Sequence, residues 1–366
     1  MARIKLPIDA VVDPLAVSVI VEGDAARFDV AGVPRVDPHL VGRPAHTVPT
    51  LVTRLCGLCP VTHHLAGMRA LDHLVDQPVD DTARAVRALL HHGSVFDVMG
   101  PRLAPTHALE LKRFGKAVLS AAGCPGHFPD VAVPGGVRAA ADPDLVATLV
   151  DELPRIQTIV DKLQGDPWQP PTTPLDVWVS NGDKWDPLGD FLQAEELIPI
   201  SEIPQRIRET RPGEINPHPQ IIVDGTWHDY RVGPASRHPE MSPAQAQIAT
   251  LHDSLYALRT LLDDPALTTP VTAPDLPLRD GTGVGVVDGP RGLLIHEYEV
   301  RESIVTRARI LSPTAQNEPW LAEMLTHVIA HGGDARAVEE PIRAADPCLP
   351  CTNAPRGMMN VTIKEK

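Results

Sequence analysis

The chain has 366 residues, 43% of them apolar, and carries 33 Lys and Arg against 47 Asp and Glu, a formal charge of −14. That balance argues against a nucleic-acid or anionic-membrane surface, which needs clustered cations, and no stretch reaches the roughly 18 apolar residues of a membrane span. The N-terminus MARIKLPIDAVVDPL lacks the uninterrupted apolar core of a signal peptide.

Length allows more than one domain and leaves one large domain open. Proline is unusually frequent at 39 residues, about twice the usual usage of roughly 5%, and in so apolar a chain this predicts rigid connections instead of disorder. In chain order, residues 16–30 read as a hairpin turning at Gly23-Asp24. A helical pattern over 47–75 carries a first cysteine pair, and helices follow over 81–99 and 108–121. Asp142-Pro143 is a cap-plus-proline start, after which Leu145, Leu149, Leu153, Ile156, Val160 and Leu163 mark a buried stripe with a kink expected at Pro154. Residues 165–240, rich in Pro, Asp and Trp, predict irregular structure and short strands. Ser242-Pro243 opens another helix with a stripe at Ile248, Leu251, Leu255, Leu258 and Leu262, and glycine-punctuated β structure is expected over 281–300. Asn317 reads as the cap of a last helix running to about Ala330, stopped by Gly332-Gly333. The sum is a helix-rich α+β protein.

Five cysteines are present, four of them in two tight pairs: Cys56 and Cys59 in RLCGLCPVTH, Cys348 and Cys351 in DPCLPC, with Cys124 apart. A disulfide framework does not suit a large chain without a secretion signal, so the pairs point to metal or redox chemistry. Cysteines three apart can aim both sulfurs at one site, and four thiolates suit zinc, iron or nickel. A structural zinc staple stays open here, although zinc modules keep their ligands close in sequence and Cys59 and Cys348 are 289 positions apart. Cys124 reads as a small buried hydrophobe.

RLCGLCPVTH resembles the N-terminal Arg-x-Cys-Gly-x-Cys-x-x-x-His signature of nickel–iron hydrogenase large subunits, and DPCLPC resembles their C-terminal signature, in the right order and near the right chain ends. Val21-Glu22-Gly23, Gly42-Arg43-Pro44, AVPGGVR at 132–138, YRVGP at 230–234, GPRG at 289–292 and SPTAQN at 312–317 are similar too. AVPGGVR and YRVGP look most like the cytoplasmic, multi-subunit branch that passes electrons to NAD(P) or a related carrier. The resemblance implies a single large-subunit domain over 1–366, with a central helical bundle and small peripheral β elements. It implies reversible oxidation of dihydrogen, a nickel–iron centre with carbon monoxide and cyanide on iron, and an iron–sulfur small subunit with further electron-transfer partners. A hydrogen-sensing subunit with the same metals is the alternative within that resemblance.

Carried over residue by residue, the pattern makes Cys56 and Cys348 terminal nickel ligands and Cys59 and Cys351 bridges to iron. His63 packs beside the sulfurs, and Arg291 lies over the metals. Leu294, Pro313 and Thr314 cradle the diatomics. Glu22 carries protons away, while Cys348 or Arg291 serves as base. Arg54 or Arg291 would offset the charge of the thiolates. Three positions depart from the family: Ala354 stands in place of a histidine, Asp24 follows Glu22-Gly23 where histidine is common, and Val98, beside Asp97, replaces an acidic residue. The missing histidine puts in doubt the outer magnesium or iron ion for which Asp37 is the acidic ligand. The tail 355–366 is expected to belong to the mature protein, with Met358, Met359, Val361 and Ile363 packed and 359–363 forming a strand.

Overall fold

The computed structural model describes residues 16–29, 35–182, 184–214 and 216–365. The expected hairpin is β1 (Ala16–Glu22) and β2 (Ala25–Phe28), turning through a left-handed Gly23 at φ 61°; Val30, its expected end, lies outside the described residues. The helix expected over 47–75 is two, α1 (Val48–Leu55) and α2 (Pro60–Asp72). The break has a local cause. Pro60 has no N–H to donate back to α1, and its fixed φ suits the first position of a new helix.

Helix α3 (Asp81–Leu103) is capped by Asp80, whose carboxylate accepts from Ala83 N at 2.7 Å, and α4 (Ala108–Ala121) has the expected bounds. A small hairpin, β3 (Ala132–Val133) and β4 (Gly136–Val137), leads to α5 (Pro143–Val160), capped by Asp142. Leu149, Leu153, Ile156 and Val160 are buried as expected, but Leu145 in the first turn is 38% exposed and leaves the stripe. The Pro-rich middle is short elements only: β5 (Leu175–Asp176), β6 (Trp178–Ser180), β7 (Phe191–Gln193), β8 (Leu197–Pro199), α6 (Ile203–Arg206), β9 (Ile207–Glu209), β10 (Pro219–Val223), β11 (Thr226–His228), β12 (Tyr230–Arg231) and α7 (Pro234–Arg237).

Helix α8 (Pro243–Leu262) begins with a full capping box between Ser242 and Gln245 and buries its stripe. Next come the antiparallel strands β13 (Gly281–Gly289), β14 (Gly292–Arg301) and β15 (Ile304–Leu311), then α9 (Pro313–Ala330) and α10 (Glu339–Ala345). The cap of α9 is Ser312, with Pro313 after it, not Asn317. Asn317 is buried in the first turns, where its side chain bonds Val232 N and O and the Ala345 carbonyl. Nor is α9 the last helix. The tail ends in β16 (Asn360–Glu365), parallel to β1. Met359 is buried and Val361 half-buried, but Met358 is 61% exposed and does not pack.

Helices α3, α4, α5 and α8 pack on one another as the central bundle, and the largest apolar cluster fills it. Helix α2 lies flat on β13 and β14. That approach needs glycine. A Cβ at Gly283 would stand 1.9 Å from the Ala70 carbonyl oxygen, and one at Gly285 would stand 2.0 Å from that of Ala66. A second cluster lies under β13–β15 and the short strands, and a third joins β1, β2, α9 and α10. Among the described residues no helix is long and apolar enough to cross a membrane.

Two expectations follow. Gly285→Ala should destabilise the protein by at least about 2 kcal/mol, because helix backbone cannot yield as a side chain can; a denaturant midpoint equal to wild type would show that α2 lifts without cost. Burial, with Arg87 nearby, holds His64 down at about 4, and burial holds His92 at about 4. Unfolded histidine titrates near 6.5, so these groups contribute full stability above that pH and lose it as the pH falls toward 4. Thermal unfolding should shift to lower temperature between pH 6.5 and 4.5, and a flat profile would count against buried neutral histidines.

Candidate metal centre

The break between α1 and α2 sets the first cysteine pair. Cys56 leaves α1 in an extended conformation, and Cys59 sits just before α2 with its carbonyl accepting from His63 N at 3.2 Å. Cys348 comes from the other end of the chain. Helix α10 stops at Asp346 in the left-handed conformation (φ 45°), which Asp tolerates better than most residues. Two residues later the Cys348 N–H donates to Thr314 Oγ1 at 2.8 Å, tying the C-terminal loop to the start of α9.

The sulfurs of Cys56 and Cys59 are then 3.6 Å apart, those of Cys59 and Cys348 3.4 Å, and all three lie within 4.8 Å of one another. Cys351 does not join them. Its turn, residues Pro350–Asn353, carries it into the apolar cluster with Ala345 and Ala354, where it is 2% exposed and burial pushes its thiol up to about 11. Among the clustered three, hydrogen bonds from Cys348 and Cys59, together with His63, pull the Cys56 thiol strongly down. Hydrogen bonding with Cys348 and Cys56, then burial, push Cys59 up; hydrogen bonding to Cys56 pushes Cys348 up to about 12. The sulfurs oppose each other's ionisation, which is what a bound cation relieves.

These sulfurs face a cavity of about 180 Å³. His63, Leu294, Pro313, Thr314 and Arg291 all line it, as does Asp37. Arg291 is 4% exposed, its Nη2 donates to Asn353 Oδ1 at 3.3 Å, and its Nε stands 3.4 Å from Asp346. Its Nη1 makes no hydrogen bond among the described residues. An orphaned, buried guanidinium donor beside three thiols fits a bound anionic or metal-borne group. Burial works against its charge, but Asp346 and Cys348 outweigh that and hold it firmly protonated, which suits an electrostatic fixture and not a base.

Several expectations are corrected. Glu22 ends β1 with its side chain 51% exposed, pairs with Arg27 at 3.3 Å and is absent from the cavity wall. The buried carboxylates in that wall are Asp37 and Glu318, and Asp37 is held by Arg35. Arg54 is exposed, stacks over the Phe128 ring at 5.6 Å and does not line the cavity. Asp97, beside Val98, is taken by Lys112 and Lys116 at 3.0 and 3.2 Å. The guanidinium of Arg35 holds both oxygens of Asp37, Nε at 3.1 Å from Oδ1 and Nη2 on Oδ2. With Asp37 so engaged and Ala354 aliphatic, these residues do not fit the outer ion.

Folding also supplies the site with partners to which the sequence assigned no role. Asp346 lies between Arg291 and Arg102, which grips both its oxygens. Burial alone would raise the Asp346 carboxyl, but the two guanidiniums outweigh it and hold it below the usual carboxylate range. Its place in the DPCLPC motif was the one available signal. His296 and Tyr298, which extend inward from His63, had none beyond alternation along a strand.

A family model described as nickel-dependent hydrogenase matches residues 36–97. The chain is 25% identical over 368 residues to one of the subunits of the F420-non-reducing hydrogenase vhu of Methanocaldococcus jannaschii, covering 79% of this chain and 88% of that one. It is 24% identical to the NAD-reducing hydrogenase HoxS subunit beta of Cupriavidus necator, covering 92% and 91%. Among solved structures it is similar to an NAD+-reducing [NiFe]-hydrogenase in the H2-reduced state, with a TM-score of 0.75, 22% identity and coverage of 90% and 93%.

Replacing Asp346 by Asn should leave Arg102 and Arg291 buried without a counter-charge and cost about 3 kcal/mol. Urea unfolding of the purified protein measures this, and an unchanged midpoint would mean the guanidiniums are satisfied elsewhere.

Proposed function

From a chain that belongs to the nickel–iron hydrogenase large-subunit family, we infer reversible heterolytic cleavage of dihydrogen, with electrons leaving through an iron–sulfur small subunit to a soluble carrier such as NAD(P). The chain is a nickel-dependent hydrogenase, an oxidoreductase acting on hydrogen, and it works with partner subunits. To this reading belong the carrier, a cytoplasmic setting and a single domain over residues 1–366. They rest on the motifs at 132–138 and 230–234 and on the likeness to the NAD-reducing relative.

The observation that carries the reading is three thiols from opposite chain ends within 4.8 Å of one another, beside a buried arginine with a free donor. Cys56, Cys59 and Cys348 would hold the metals, with Cys351 as the fourth thiolate of the family pattern. The bound centre would supply the electron-accepting half of hydrogen cleavage, its iron carrying carbon monoxide and cyanide. Leu294, Pro313 and Thr314 form the wall in which those diatomics would lie, and Arg291 lines the same space. The Cys348 sulfur is the atom to hold the proton, because Arg291 stays charged. Proton exit is assigned to Glu318, buried in the cavity wall, in preference to the exposed Glu22.

Nickel and iron should both be found in the purified complex, with infrared bands in the carbonyl and cyanide region. Alanine at Cys56 or Cys348 should abolish nickel binding. Stoichiometric zinc without those bands would replace this reading with a structural staple. Glu318→Gln should keep the nickel and slow hydrogen turnover at least tenfold, since glutamine preserves shape and removes the exchangeable proton. A larger loss in Glu22→Gln would return the proton path to Glu22.

A further inference from the structure

A buried hydrogen-bonded chain runs from the thiols into the body of the protein. His63 on α2 is 6% exposed, and its Nδ1 lies 2.9 Å from His296 Nε2. His296 Nδ1 in turn lies 2.5 Å from the Tyr298 hydroxyl. His296 and Tyr298 are two apart on β14, so they share one face of the strand, and both are 0% exposed. With Nδ1 engaged, Nε2 is the ring nitrogen left for the cavity that His63 lines together with Cys56, Cys59 and Cys348.

The direction of the chain is decided at its inner end. Tyr298 makes no other hydrogen bond among the described residues, so its O–H either donates to His296 Nδ1 or is buried unsatisfied, at a cost of about 1–3 kcal/mol. It therefore donates. A neutral imidazole carries one N–H, and burial keeps His296 neutral, so its proton sits on Nε2 and is donated to His63 Nδ1. The same rule then places the His63 proton on Nε2. In the opposite polarity Nε2 would turn a lone pair toward the cavity that the thiols line, which is repulsive once one of them is ionised.

We propose that Tyr298 and His296 are positioning residues that lock His63 in its Nε2–H tautomer, so that the ring presents an N–H donor, not a lone pair, to the thiol-lined cavity. That donor favours the thiolate form of the sulfurs lining the cavity. Its value for hydrogen turnover rests on the hydrogenase reading above, but the tautomer itself does not.

The test is nitrogen NMR of the full-length, metal-free chain labelled with 15N-histidine, with His63 and His296 assigned by the resonances lost in His63→Gln and His296→Gln. The expected wild-type pattern is an unprotonated Nδ1 and a protonated Nε2 on both rings. His296→Gln should preserve the His63 pattern, because the amide can accept from Tyr298 and donate to His63. His296→Leu and Tyr298→Phe should each give His63 a second set of resonances from the other tautomer. A His63 protonated on Nδ1 in the wild type overturns the proposal, and that spectrum decides even if a variant fails to fold. An unchanged His63 pattern in both His296→Leu and Tyr298→Phe overturns it as well. A chain that shows the expected tautomers yet takes up no nickel would sink the hydrogenase reading and leave this inference standing.

Discussion

Bringing two loops nearly 300 residues apart in sequence to one point requires something stronger than apolar packing to set their distance, and the carboxylate of Asp346 does that. It is 2% exposed, held by Arg102 at the end of α3 and by Arg291 just before β14. A charge so deeply buried is tolerable only with both partners in place, so the α10 terminus is confined to the spot where α3 and the β13–β14 turn meet. Cys348 is two residues further on. The position of its sulfur is in effect dictated by an ion-pair triad that touches no metal ligand motif other than its own Asp-Pro.

The other pair of sulfurs is placed by backbone contact. Helix α2 can lie on β13 only because Gly283 and Gly285 offer no Cβ to its carbonyls. That close approach sets the height of the N-terminus of α2, and with it Cys59 and His63. The same contact turns His63 toward β14, where His296 and Tyr298 stand. One packing decision therefore fixes a ligand, its hydrogen-bond partner and the groups behind that partner.

Electrostatics in the cavity follows from this geometry. Three thiols at van der Waals range share one negative charge easily and resist a second, while Arg291 stays protonated beside them. The site is poised for a cation with attached anionic groups. The carboxylates nearby differ sharply in availability: Asp37 is engaged by Arg35, whereas among the described residues Glu318 has only a distant Arg211 at 3.9 Å.

Much was legible in the linear chain because it is governed by local rules. Caps at Asp142 and Ser242, the stripe from Ile248 to Leu262, the turn at Gly23 and the pairing of cysteines three apart depend on neighbours a few residues away, and the sequence by itself determined them. It also determined that Cys56, Cys59, Cys348, His63, Leu294, Pro313, Thr314 and Arg291 belong together, through motifs that carry that information. The tertiary structure decided the rest. Asn317 looks like a cap and is a buried bridge to Val232 and Ala345, because its partners come from distant segments. Leu145 fits a helical stripe but is 38% exposed, because the first turn of α5 presents its neighbour Val146 to the core instead. Glu22 sits in a matching motif yet lies at the surface, and Glu318, Asp346, His296 and Tyr298 acquire their roles only from what folding sets beside them. Periodicity and caps act through the chain, whereas burial, ion pairing and tautomer choice act through space.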